Sequence, residues 1–301
     1  MNIIMYHYVR PNSDNYPFFK NLDLNNFTKQ LDYFDKKFGF VSKKDYQESI
    51  KTGIPKKGVV LTFDDGFKDH FEYVLPELTK RGLWGIFYIP TAQYSNNKLL
   101  GVHRVHYLKG KYGSTYILKE VLKRTKNYMI NPDLIKQFSE TTYHYFERDD
   151  DEKKLQRLLN YYIDYKERDK ILDLLMINLF NESELFKETY LNKTEIIELY
   201  KSGNIVGPHT VNHKVLSRLS YDDQYFEINE SLNFLNKIID IKYKSFCYPY
   251  GYKSSYNDLT KQILESLNFD DACIFDNKLT NTKINKYELS RIDCNQFLNL
   301  K

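Results

Sequence analysis

Seven short apolar runs punctuate this 301-residue chain, with amphipathic helical patterns between several of them. The runs are Ile3 to Tyr6, Val59 to Phe63, Trp84 to Ile89, Ile205 to Val206, Ser245 to Tyr248, Ala272 to Phe275 and Leu289 to Ile292. Runs of this kind suit strands buried on both faces. Phe27, Leu31, Phe34 and Phe38 fall on one helical face that stops at Gly39. Phe71, Leu75 and Leu78 fall on another that stops near Gly82, and Ser220 is placed to cap a helix carrying Phe226, Leu232 and Leu235. Strands alternating with helices predict an α/β fold with a parallel sheet, either a barrel or an open doubly wound sheet.

The alternation lapses between residues 98 and 192, where the chain turns charged, aromatic and helix-like, as in Leu118 to Leu122 and Leu155 to Tyr162. We read residues 1–97 and 193–301 as one catalytic domain and 98–192 as an inserted helical subdomain. A connection of this length serves function or folds separately, as a lid, a specificity element or a homo-oligomer contact. His103 and His106 at its entrance are placed either to bind substrate or a second metal, or to pack on an amphipathic turn. The run Asp149-Asp150-Asp151-Glu152 reads as the solvated first turn of a helix, where negative charge suits the dipole.

Charge excludes some partners. The net charge is +4, and lysines are interspersed with acids in short pairs such as Lys43-Lys44, never a basic block. No nucleic-acid or anionic-membrane partner is expected. No apolar segment approaches the length of a membrane span, and the mean hydropathy is −0.60. Cys247, Cys273 and Cys294 are an odd, scattered set, read as reduced thiols in the core. The chain enters strand-like Ile3-Ile4-Met5 without a basic start, a long apolar stretch or a cleavage site, so a cytoplasmic location is expected. Most of the 27 tyrosines and 20 phenylalanines must serve the core.

The chemistry concentrates at strand ends. Thr62-Phe63-Asp64-Asp65-Gly66 follows Val59-Val60-Leu61, placing two adjacent carboxylates where a buried strand runs out. Alone the pentapeptide is also ordinary turn chemistry. His209-Thr210-Val211-Asn212-His213 adds two imidazoles four positions apart, which meet one cation if the segment is helical or tightly turned. Position 210 is Thr, so the zinc-protease motif, with Glu after the first His, is absent and the base must come from elsewhere; Asp64 is available. A third element, Phe246-Cys247-Tyr248-Pro249-Tyr250-Gly251, runs from an apolar strand into a turn whose backbone N–H groups are placed to face a cleft.

With these three elements in this order, the chain resembles the polysaccharide deacetylases, metal-dependent hydrolases of N-acyl groups on amino sugars, over Met1 to about Tyr94 and from Asn192 onward. The resemblance, with the strand count, implies a distorted TIM-like (β/α)7 barrel. It implies Asp64 as general base, Asp65, His209 and His213 as ligands of one divalent ion, expected to be zinc, and the Tyr250 N–H as oxyanion donor. The arginine that many members place in the third motif is replaced by Cys247, and Arg291 is the candidate to orient Asp64 in its stead. The usual C-terminal Leu-x-His is missing, since no histidine follows His213. Circularly permuted members place that histidine in an N-terminal Met-Tyr-His segment, which Met5-Tyr6-His7 matches, implying His7 as the catalytic acid.

The function expected is removal of an N-acetyl or other short N-acyl group from an amino sugar, in an intracellular nucleotide-linked or lipid-linked glycan precursor. Two other readings are a catalytically silent glycan-binding protein on the same fold and a non-haem iron oxygenase, whose facial triad also takes two His and a carboxylate. Asp64 and the order of the motifs argue against the oxygenase.

Overall fold

The computed structural model describes residues 1–143, 149–277 and 284–298. The chain divides into two compact units. The first comprises Met1–Pro11, Asn21–Ala92 and Thr189–Lys301; the second comprises Asn12–Lys20 and Gln93–Glu188. The second unit thus starts and stops a few residues before 98 and 192, and it also recruits the segment 12–20, which no periodicity marks.

Seven strands form the frame of the first unit: β1 (Asn2–Tyr6), β2 (Val59–Phe63), β3 (Gly85–Ile89), β4 (Ile205–Pro208), β5 (Ser245–Cys247), β6 (Asp271–Phe275) and β7 (Leu289–Asp293). Every ladder is parallel, in the order β4-β3-β2-β1-β7-β6-β5. The result is a nearly closed (β/α)7 barrel of TIM-like type, not an open doubly wound sheet. At the seam β4 passes so close to β5 that a Cβ on Gly207 would lie 2.1 Å from the Ser245 carbonyl oxygen. Trp84, read as part of a strand, stands just before β3 and instead donates its indole N–H to the Val41 carbonyl at 2.8 Å.

Period two divides the strand residues between two cores. Ile3, Val60, Ile86, Tyr88, Ile205, Cys247, Cys273 and Leu289 pack together as one cluster. Tyr6, Phe63 and Phe87 alternate with them and stack against one another, with centroids 5.3 and 4.8 Å apart. Against this second layer lies the helix Leu24–Phe38, whose Phe27 meets the Tyr6 ring edge-on at 5.3 Å. Asp23 caps that helix by accepting the Asn26 N–H, and Gly39 ends it at φ 66°. Burying Phe27, Leu31 and Phe34 contributes roughly 1.5–3 kcal/mol each. Phe38, on the same stripe, is only half-buried.

Two other sequence readings need correction. Ser220 does cap the helix Tyr221–Asn236, but Phe226 is 53% exposed, and the buried face runs through Gln224, Glu227, Ile228 and Leu235. In the second unit Asp149 caps the helix Asp150–Arg157, as charge at a helix start predicts, but Glu152 is not solvated. It is buried and accepts from Lys109 Nζ at 2.5 Å and Lys20 Nζ at 2.8 Å, because ion pairing offsets the cost of burying its charge. Among the described residues no helix is long and apolar enough to cross a membrane.

Candidate active site

The site grows from the carboxyl ends of the barrel strands. Asp64 extends β2 by donating its N–H to the Tyr6 carbonyl at 2.9 Å; Asp65 and Gly66 then turn the chain at φ 78° and 63°. Asp64 is buried and meets Arg291 from β7 in a two-point grip, Nη1 to Oδ1 at 2.6 Å and Nη2 to Oδ2 at 2.8 Å. Arg291 also donates to Thr62 Oγ1 at 3.2 Å, the Ile274 carbonyl at 3.3 Å and Cys247 Sγ at 3.0 Å. Burial opposes ionisation of Asp64, yet the Arg291 guanidinium, helped by His7 and His209, holds its carboxyl below the usual range. Its charge is therefore kept in a place where an isolated carboxylate would protonate.

The two-histidine segment is a tight turn, not a helix. His209 continues β4, donating its N–H to the Ile89 carbonyl at 3.1 Å, and its ring Nδ1 lies 2.7 Å from the Cys247 carbonyl. That carbonyl only accepts, so Nδ1 carries the proton and Nε2 keeps its lone pair. Thr210 stands at φ 66°, rare for a β-branched residue, and its Oγ1 accepts the His213 N–H at 3.0 Å. The turn delivers both Nε2 atoms to one oxygen: Asp65 Oδ1 is 3.6 Å from His209 and 3.5 Å from His213. Burial, against the pull of Asp64 and Asp65, lowers the His209 pKa and favours the neutral ring.

Cys247 ends β5 with its thiol beside Asp64 and Arg291. Tyr250 follows at φ 64°, its ring edge-on to His213 at 5.0 Å. Gly251, whose carbonyl accepts the Phe275 N–H at 2.9 Å, lies so close that a Cβ would stand 2.7 Å from that nitrogen. Asp65, Thr210, His213 and Tyr250 are four non-glycine residues in the left-handed region within one site. Strain of this sort persists only where surrounding contacts over-determine the backbone.

His7 leaves β1 with Nε2 3.9 Å from Asp64 Oδ2 and 3.9 Å from Asp65 Oδ2, its side chain 39% exposed. The structure thus brings together His7, Asp64, Asp65, His209, His213, Tyr250 and Arg291. His103 and His106 belong to the second unit, on the helix Gly101–Tyr112 with ring centroids 5.8 Å apart; His103 is fully buried.

Sequence reasoning missed three supporting residues. Glu227 accepts the Val211 and Asn212 N–H groups at 3.0 and 2.7 Å and the Asn212 amide at 2.7 Å, holding the turn between the histidines. Asp69 accepts from the Val9 N–H at 3.1 Å and from Arg10 Nε at 2.7 Å, and His70 Nε2 lies 2.9 Å from the His7 carbonyl. A glutamate on the buried stripe of an amphipathic helix was the available signal for the first. Nothing local distinguishes Asp69 and His70 from ordinary loop residues.

Asp65, His209 and His213 fit a divalent ion. Two imidazoles and a carboxylate, all buried, are a donor set that suits zinc. Asp65 Oδ1 stands 3.5–3.6 Å from each imidazole nitrogen, near the roughly 3.3 Å expected between tetrahedral ligands at zinc bond lengths. The His209 Nδ1 contact with a backbone carbonyl is the outer-shell partner that orients such a ligand. Asp64, His209 and Cys247 also lie close enough to share an ion, but Arg291 already occupies the carboxylate and thiol of that set.

Residues 176–272 match the polysaccharide deacetylase family. The matched stretch contains His209, His213 and the Cys247–Gly251 turn, while Asp64 and His7 lie outside it. Three solved structures share the fold over 97% of this chain. A Streptococcus pyogenes deacetylase, PplD, solved in complex with acetate, is 19% identical with a TM-score of 0.59, 91% of its chain being covered. IcaB from Ammonifex degensii is 17% identical, TM-score 0.54, with 90% covered. A de-N-acetylase from Aggregatibacter actinomycetemcomitans is 13% identical, TM-score 0.55, with 95% covered. A search of curated protein sequences gave no match. The chain is thus similar to the polysaccharide deacetylases over residues 176–272, and its barrel is of the kind seen in these three structures.

Proposed function

We propose that the protein is a metal-dependent hydrolase that removes the N-acetyl group of an amino-sugar unit, with the catalytic groups of a circularly permuted member. The observation that carries this is the convergence of Asp65, His209 and His213 on one point, with Asp64 and His7 beside it. The acetate in the PplD structure supports acetyl as the acyl group. A divalent ion held by Asp65, His209 and His213, zinc by the donor set, supplies Lewis acidity to the acyl carbonyl and to water.

Asp64, kept ionised by Arg291, takes the proton from the attacking water. The Tyr250 N–H, presented by its left-handed backbone, donates to the developing oxyanion. A protonated His7 delivers its proton to the departing amine, which otherwise leaves poorly. Products are the free amino sugar and acetate. Arg291 makes no direct contribution to bond making; it fixes the charge and direction of Asp64 from β7, where many relatives use an arginine at the Cys247 position. Of the two histidines at the entrance of the second unit, His106 is half-buried and so more accessible to a ligand than buried His103.

The test pairs elemental analysis with mass-spectrometric detection of acetyl loss from N-acetylated amino sugars. Asp64→Asn should retain metal and lose turnover, while His209→Ala should lose both. Normal deacetylation by either variant would overturn the assignment. Tight glycan binding by wild-type protein without acetyl loss would favour a silent binding role instead.

A further inference from the structure

We infer that Asp69 and His70 form a clamp that fixes the His7 loop, with His70 a positioning residue for proton delivery in the deacetylation proposed above. The two residues follow the Asp64-Asp65 turn and reach the chain just beyond β1. Asp69, 3% exposed, accepts the Val9 N–H and the Arg10 guanidinium on one carboxylate oxygen. The His70 ring reaches the carbonyl of His7 itself. Successive residues of one turn thus hold both sides of the peptide segment that presents the His7 imidazole.

The chemistry of the His70 contact is one-directional. A carbonyl only accepts, so Nε2 carries the hydrogen and donates it. The ring is fully buried among Phe63, Phe67 and Phe87, at centroid separations of 5.6, 5.8 and 5.8 Å. Burial drives its pKa to about 4, so the ring is neutral at working pH and neither supplies nor removes charge near the carboxylate pair. His70 opens a π-helical turn, His70–Val74, a widening of the helix often found where a side chain must be aimed. A histidine serving the core alone would not need its hydrogen directed at the residue that stands over Asp64 and Asp65.

Placement matters because proton delivery tolerates little displacement: an error of about 1 Å costs on the order of 100-fold. The clamp also ties the His7 loop to the turn that carries Asp64 and Asp65, so acid and base move as one body.

The experiment compares His70→Phe, which keeps an aromatic ring among the three phenylalanines but has no donor, with His70→Gln, which restores an N–H. Two substrates are used, an N-acetylated amino sugar and 4-nitrophenyl acetate, whose phenolate leaves without being protonated. His70→Phe should lower kcat on the amide by about 10- to 100-fold with KM unchanged, and leave ester hydrolysis within about twofold. His70→Gln should recover amide turnover to within about threefold of wild type. Equal losses on amide and ester, or a His70→Gln variant as poor as His70→Phe, would overturn the clamp. Hydrogen exchange decides the same point without turnover: residues 7–10 should exchange at least about tenfold faster in His70→Phe, with 209–213 unchanged. Unaltered exchange at 7–10 overturns the clamp. A wild-type enzyme that cleaves no amide would sink the deacetylase reading alone, leaving the exchange result to judge the clamp.

Discussion

Arg291 and Asp64 face each other as a buried two-point ion pair, the guanidinium arriving from the seventh strand and the carboxylate from the end of the second. The pair keeps the Asp64 carboxylate ionised although it is buried away from water, as the general base proposed above requires. Arg291→Met leaves that carboxylate without its partner and should cost about 3–5 kcal/mol of stability. Arg291→Lys should fold but lose the two-point geometry. Because the arginine lowers the Asp64 pKa, its loss raises it, so the acid limb of the pH–rate profile should move to higher pH. An unmoved acid limb in a folded Arg291→Lys enzyme would remove the arginine from this role.

Metal binding should be visible as stability. Zinc at about a thousandfold excess over its Kd should add roughly 4 kcal/mol to unfolding, through preferential binding to the native state. Asp65→Asn and His213→Ala should forfeit this gain, whereas Asp64→Asn should keep it. Chelator titration followed by thermal melts checks the pattern, and equal gains in all variants would place the ion elsewhere.

Gly207→Ala tests the barrel seam. The new Cβ would meet the Ser245 carbonyl oxygen at 2.1 Å, a backbone atom that cannot swing aside. Separating β4 from β5 would also displace His209, two residues on. The variant should lose about 3 kcal/mol or more, as overpacking does at its worst, together with metal affinity. A melting temperature equal to wild type would show that the seam is looser than it stands.

Asp271 titrates inside the first unit, far from any bulk water. Burial raises its pKa to about 6, although Ser245, Tyr243 and Tyr46 all donate to it. The folded protein therefore holds a proton that the unfolded chain releases between pH 3.8 and about 6. This contribution to stability is full below the unfolded value and is lost as pH rises through about 6, a change on the order of 3 kcal/mol. Asp271→Asn should flatten that part of the stability profile, measured by urea unfolding from pH 4 to 7. His70, with its pKa lowered to about 4, acts in the opposite sense as pH falls from 6.5, so the single variants are needed to separate them.

Much of the barrel was legible because its signals are local. A strand buried on both faces must be apolar throughout, and a helix lying on it must be apolar on one stripe, so β2, β3 and the helix Leu24–Phe38 announce themselves. Phe226 and Glu152 misled for a single reason: exposure depends on what packs opposite, and neighbouring sequence does not report it.

The sequence by itself determined the order of strands and helices and the residue types at the strand ends: two carboxylates, two histidines four apart and a lone histidine after the first strand. These follow from patterns within a few residues of one another, where covalent spacing controls what is adjacent. Tertiary structure alone decided that His209 and His213 meet at Asp65 through a strained turn, and that Arg291 grips Asp64 while donating to Cys247, 44 positions earlier. It also decided that Asp69 and His70 hold the loop behind His7. Those contacts depend on the closure and register of a parallel barrel, which brings together residues more than two hundred positions apart, as in the 227-residue separation of Arg291 and Asp64. Local propensity carries no information over that distance; packing does.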